Sequence, residues 1–202
     1  MINHRAAPRF SYPDPVEDAQ RAVRFVRHHA DDFGVRGDRI GAVGGSSGGH
    51  LALMLGYQPA GGDPESDDPL LRESANVQCV VARAAPSNFL SEGMSRSWFL
   101  GCREPDEGDT TSAEYRIHRG ASPVTYLSPT APPTLLIHGD EDPIVAFSQS
   151  EMLFAALQRE NVASDFMIIP GGGHGAKFEG AREPVPDYTG RTIAWMDEHL
   201  KV

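Results

Sequence analysis

Cysteine is scarce in this chain: Cys79 and Cys102 are its only two, too few for a disulfide framework. Two reduced thiols fit a cytoplasmic protein, and that location is the expectation. No stretch of about 18 apolar residues occurs, so no membrane-spanning segment and no membrane partner are expected. The first residues lack the charged-then-apolar pattern of a secretory leader. Basic residues are outnumbered, 18 against 28 acidic ones, and the net charge of −10 argues against nucleic acid as a partner. Internal repeats and long low-complexity tracts are also missing. What remains is a chain of 202 residues with 40% hydrophobic content, enough for a single domain, 1–202, around one core.

Strand-like and helix-like segments alternate along that chain, which predicts an α/β fold, a mainly parallel sheet flanked by helices. Asp14-Pro15-Val16-Glu17 offers an N-cap, a proline at the first helical position and a glutamate reaching back. Val16, Ala19, Val23, Val26 and Ala30 then recur at helical spacing, and Gly34 closes the helix. A strand is expected over 39–44, a helix over 50–57 and a strand over 77–84. Further strands fit 134–138 and 165–169, with a helix opened by a capping box, Ser148 to Glu151, between them and a last helix from about 187 to 200. The stretch of about 90–130 is the least regular and reads as a lid-like insert. Its apolar residues Trp98, Phe99 and Leu100 either line a substrate pocket or pack the insert onto the core.

Gly45-Ser46-Ser47-Gly48-Gly49 reads as G-x-S-x-G with Ser47 at its centre, between the 39–44 strand and the helix that follows. Such a strand-to-helix turn exposes a serine hydroxyl, and flanking glycines avoid a clash of Cβ atoms. The helix N-terminus favours negative charge at the same place. A glycine-rich run alone also serves as a loop or a phosphate cradle, so partners are needed. Asp142 follows the 134–138 strand, and His174, flanked by glycines, follows the 165–169 strand. In a parallel sheet both lie on the edge that carries Ser47. The chain order Ser, Asp, His is that of the α/β-hydrolases. Three acids crowd this loop, Asp140, Glu141 and Asp142, and Asp142 is favoured over Asp140 because it stands deeper in the loop. His138, ending its strand, reads as a structural hydrogen-bonder, and His50 as a packing or helix-start residue.

Taken in order, these residues resemble an α/β-hydrolase of the esterase/lipase branch, the branch with acetyl xylan esterase-like and feruloyl esterase-like enzymes. The likeness is carried by Tyr12-Pro13, Glu17-Asp18-Ala19, Asp38-Arg39-Ile40, Gly45 to His50 and Leu51-Ala52. It continues through Ala121-Ser122-Pro123-Val124, Pro132 to Gly139 and Gly171 to His174. The resemblance implies a nucleophile at Ser47, an acid at Asp142, a base at His174 and an oxyanion donor at the Gly48 amide. It implies hydrolysis of short acyl esters, acetyl or aromatic acyl groups on sugars among them, with neither cofactor nor metal. A prolyl-oligopeptidase-like peptidase and a truncated binding or assembly module are the alternatives. One departure stands out: the family's front strands and its His-Gly-Gly-Gly-type oxyanion loop have no counterpart before the elbow. The sheet edge at 39–44 is therefore expected to be uncovered, and a homo-oligomer, most simply a dimer, is expected to cover it.

Overall fold

The computed structural model describes residues 1–91 and 97–201. Its elements run α1 (Asp14–His28), α2 (Ala30–Phe33), β1 (Gly41–Gly45), α3 (Ser47–Tyr57), β2 (Cys79–Arg83), α4 (Ser97–Leu100) and α5 (Ala113–Ala121). They continue with β3 (Thr134–Gly139), α6 (Ser148–Arg159), β4 (Ser164–Ile169) and α7 (Tyr188–Leu200). The four strands form one parallel sheet in chain order, β1-β2-β3-β4. The expected fold class, a parallel sheet flanked by helices, is thus what the structure shows.

Burial follows the two-residue period of a strand. On β2, Val80 and Ala82 point into a cluster with Val16 and Val23 of α1, Leu53 of α3 and Leu153 and Leu157 of α6. Cys79 and Val81 point to the opposite face, where Trp195 of α7 and Phe178 close the second cluster. A four-residue run, Cys79 to Ala82, is buried throughout because helices cover both faces. Among the described residues no helix is long and apolar enough to cross a membrane.

Two helix starts differ from the sequence expectation. α1 begins at Asp14 with Pro13 at the cap and no side-chain cap. The Asp14 carboxylate is instead engaged by Arg5, whose guanidinium also grips Asp18. α6 begins at Ser148 after Phe147, again without a side-chain cap, so the expected capping box does not form. The 90–130 stretch holds α4, α5 and a 3₁₀ turn at Pro123–Tyr126. Within it, Ser112 caps α5 by accepting the Tyr115 amide at 3.1 Å.

What positions the candidate site is the parallel order. Every strand runs the same way, so the residues after β1, β2, β3 and β4 converge at one end of the sheet.

Candidate active site

The turn after β1 sets the first side chain. Ser46 adopts φ 53° and ψ −124°, a conformation that L-residues rarely take and that costs of order 1–3 kcal/mol. Its N–H is held by the Arg83 carbonyl at 2.8 Å. A Cβ on Gly44 would overlap the carbonyl of Gly48, which is why the residue two before Ser46 is glycine. One on Gly49 would lie 2.8 Å from Ala85 Cβ and 3.1 Å from the Arg83 carbonyl, so α3 packs closely on the end of β2. With the backbone twisted this way, the Ser46 hydroxyl projects over the strand ends.

His174 comes from the glycine-rich loop after β4, and its Nε2 lies 2.9 Å from Ser46 Oγ. Its Nδ1 lies 2.7 Å from Asp142 Oδ2. A carboxylate only accepts, so Nδ1 carries the proton and Nε2 is left to accept from the serine hydroxyl. The Asp142 side chain is fully buried in the loop after β3. Its Oδ1 accepts the backbone amides of Ile144 at 2.8 Å and Val145 at 3.0 Å. Burial alone would raise its pKa, but the His174 hydrogen bond and these amides outweigh it and hold the carboxyl below its ordinary value. The acid is therefore ionised at neutral pH.

A second histidine braces it. His138 Nε2 lies 3.1 Å from the Val145 carbonyl and 3.2 Å from Asp142 Oδ2. Both are acceptors, so Nε2 donates to them, and Nδ1 accepts from the Ser150 hydroxyl at 2.7 Å. Burial pushes the His138 pKa down in spite of Asp142, so the ring stays neutral. Asp142 Oδ2 is thus held from two sides.

The structure corrects the choice of serine. Ser46, not Ser47, meets His174; Ser47 is the exposed first residue of α3. Gly44 to Gly49 satisfies the G-x-S-x-G pattern in two overlapping frames, and only the backbone at Ser46 decides between them. The oxyanion assignment moves with it, because the amide directly after this serine belongs to Ser47 rather than Gly48. Both amides lie in the first turn of α3, where N–H groups have no acceptor within the helix. Asp142, the favoured acid, faces His174, whereas Asp140 accepts the Gly171 amide at 2.5 Å.

Of the residues expected to line a substrate pocket, Phe99 and Leu100 are not among those lining the cleft at Ser46. Leu100 is buried with Phe89 and Ala121, and Phe99 packs on the same cluster, its ring stacked on Phe89 at 5.5 Å. The Trp98 side chain lies outside the described residues. The cleft at Ser46 is lined instead by Gly45, Arg83, Ala84, His174, Gly175 and Ala176 and holds about 230 Å³. Sequence reasoning missed Arg83 here, although an arginine ending an otherwise apolar strand was a visible signal.

A hydroxyl hydrogen-bonded to an imidazole, itself held by a buried carboxylate, is an arrangement suited to attack on a carbonyl. A family model described as BD-FAE matches residues 1–157. The probable carboxylic ester hydrolase LipM of Mycobacterium tuberculosis is 30% identical over 151 residues, 74% of this chain and 35% of that protein. Esterase LipC of the same organism is 30% identical over 190 residues, 90% of this chain and 46% of that protein. The chain therefore spans less than half the length of these two relatives. Among solved structures, an acetyl ester-xyloside bifunctional hydrolase from Caldicellulosiruptor lactoaceticus superposes with a TM-score of 0.84 at 30% identity. That match covers 97% of this chain and 69% of the other.

Proposed function

This chain belongs to the BD-FAE family of α/β-hydrolase esterases, and we propose that it is a serine carboxylester hydrolase with Ser46 as nucleophile, His174 as general base and acid, and Asp142 as the group that orients His174. The observation carrying this reading is the unbroken contact from Ser46 Oγ to His174 Nε2 at 2.9 Å and from His174 Nδ1 to Asp142 at 2.7 Å. Ser46 Oγ attacks the ester carbonyl while its proton passes to His174 Nε2. The resulting imidazolium is stabilised by the ionised Asp142, then protonates the departing alkoxide as the acyl–oxygen bond breaks. Water, deprotonated by His174, attacks the acyl-enzyme and releases the carboxylic acid, and Ser46 regains its proton. The Ser47 amide at the start of α3 faces the developing oxyanion as a donor.

Short acyl groups, acetyl foremost and aromatic acyl groups on carbohydrates beside it, are the proposed substrates. The narrow cleft supports the small acyl group, and the xyloside-related acetyl esterase above supports the sugar. The 90–130 segment, as part of one domain over 1–202, is the proposed cover of the site.

A fluorophosphonate probe and 4-nitrophenyl acetate test the assignment. Ser46→Ala is expected to abolish labelling and lower kcat by about 10⁵-fold or more, whereas Ser47→Ala keeps labelling. Labelling that vanishes in Ser47→Ala and survives in Ser46→Ala overturns the assignment. The reading extends to assembly. Among the described residues β1 pairs only with β2, and Val43 on it is 50% exposed and lines one surface groove with Val26 of α1. A second copy covering that edge is the proposed quaternary state, and an elution volume that never changes with concentration and matches a monomer refutes it.

A further inference from the structure

The cleft beside Ser46 contains one charged side chain that the hydrolytic steps leave unused. Arg83 ends β2, opposite Gly45 in the strand register. Its guanidinium lies along Gly45: a Cβ built there would stand 3.5 Å from one terminal nitrogen and 3.7 Å from Nε. The guanidinium thus lies within van der Waals reach of residue 45, alongside the strand that leads into Ser46. The next residue, Ala84, has φ 45°, a left-handed conformation unusual for alanine, and the chain turns away there so that Arg83 faces the cleft with Ser46 and His174.

Arginine keeps its charge at any pH relevant to folding. Here its Nε is buried and has no hydrogen-bond partner among the described residues. The cleft lining supplies no carboxylate to it, only glycine, alanine, Ser46 and His174. A buried, unsatisfied donor on a cation is unfavourable unless a ligand completes it. In a chain of net charge −10, an arginine with no acid partner among the described residues, in the cleft that holds the Ser46 hydroxyl, is conspicuous.

We propose that Arg83 is a substrate-binding residue that makes this site select esters bearing a free carboxylate near the scissile bond. This inference rests on Ser46 being the nucleophile. The guanidinium would take the carboxylate through paired N–H donors and so seat the ester carbonyl over Ser46 Oγ. The carboxylate can belong to either side of the ester: a half-ester of a dicarboxylic acid carries it on the acyl group, and an acetylated hydroxy acid carries it on the alcohol. The chemistry is shared, and the substrates separate the two sources.

The test compares kcat/KM within two pairs of matched size. On the acyl side the pair is the phenyl half-ester of succinic acid against phenyl butyrate. On the alcohol side it is 4-acetoxybenzoate against 4-acetoxybenzamide. Native enzyme is expected to favour the anionic member of at least one pair by about 10- to 100-fold, the range of a charge-assisted contact. Arg83→Gln should collapse that ratio to near one, Arg83→Lys should retain part of it, and Arg83→Glu should invert it. A loss of packing alone lowers both members together and leaves the ratio intact. No anionic preference in either pair for the native protein, or a preference that survives Arg83→Gln, overturns the proposal. Fluorophosphonate labelling of Ser46 separates the two readings. Labelling without anionic preference refutes the role of Arg83 alone, whereas absence of labelling and turnover in the native protein removes both.

Discussion

His50 in the first turn of α3 gives the fold a pH dependence whose size follows from its surroundings. The ring is 1% exposed, sits edge-on to Phe89 and Phe99 at 5.3 Å each, and donates from Nε2 to the Ala121 carbonyl at 2.7 Å. Its Nδ1 is buried without a partner among the described residues. Burial outweighs the carbonyl contact and pushes the pKa from 6.5 down to about 4. Between those two values the unfolded chain takes up a proton that the folded chain refuses. Folding stability is then fully present above about pH 6.5 and is lost as the pH falls toward 4, with no further loss from this group below that. At about 1.4 kcal/mol per pH unit, His50 alone accounts for about 3 kcal/mol over that window, or roughly 6–12 °C in Tm for a chain of this size. Urea denaturation of the native protein and His50→Gln from pH 7 to pH 4 reads this out as a slope, whatever the variant does to absolute stability. The native curve should fall more steeply than the variant's by that amount. Parallel curves refute the argument. His138, whose pKa is also lowered by burial, adds a slope of the same sign in both proteins and cancels in the comparison.

The elbow and the acid carry further predictions. Gly44→Ala forces a Cβ into the Gly48 carbonyl, so a loss of about 1–3 kcal/mol and of Ser46 labelling is expected. Gly48→Ala meets nothing within 4 Å and lies in a helix, so it should be neutral or stabilising by up to about 1 kcal/mol in thermal melts. Asp142→Asn leaves one oxygen where two are needed, because Oδ2 accepts from both histidines and Oδ1 from the Ile144 and Val145 amides, so the new NH₂ must face N–H donors on one side or the other. The His174 tautomer is then no longer fixed, and kcat/KM for 4-nitrophenyl acetate should drop by about 10³- to 10⁴-fold with circular dichroism unchanged. A loss of less than tenfold contradicts the role given to Asp142.

The sequence made the sheet and the placement of Asp142 and His174 legible because both depend on position relative to strands, and apolar runs such as Cys79 to Ala82 mark strands well. It was ambiguous about the serine, since the glycines around Ser46 and Ser47 satisfy one pattern in two frames. The deciding quantity is a backbone angle, φ 53° at Ser46, which no residue type announces. Local capping rules misread Asp14, because Arg5, in the segment that precedes the helix, captures its carboxylate. The same limit applies to Phe99 and Leu100, whose apolar character is consistent with a pocket wall or with a packed cluster, and the partner Phe89 settles it. His138 was legible as a hydrogen-bonder, but that one of its partners is the acid itself required the fold.

The Ser46–His174 contact spans 128 residues of chain, and it exists only when β4 lies beside β3 and its following loop reaches back across the sheet. Until that last strand docks, the serine is an ordinary alcohol. On the proposed mechanism its reactivity is a report on completed tertiary structure: a probe that reacts only with an activated hydroxyl counts the chains in which this long-range contact has closed. Under mild denaturant or during refolding, labelling should lag behind the helix signal and track the final docking step.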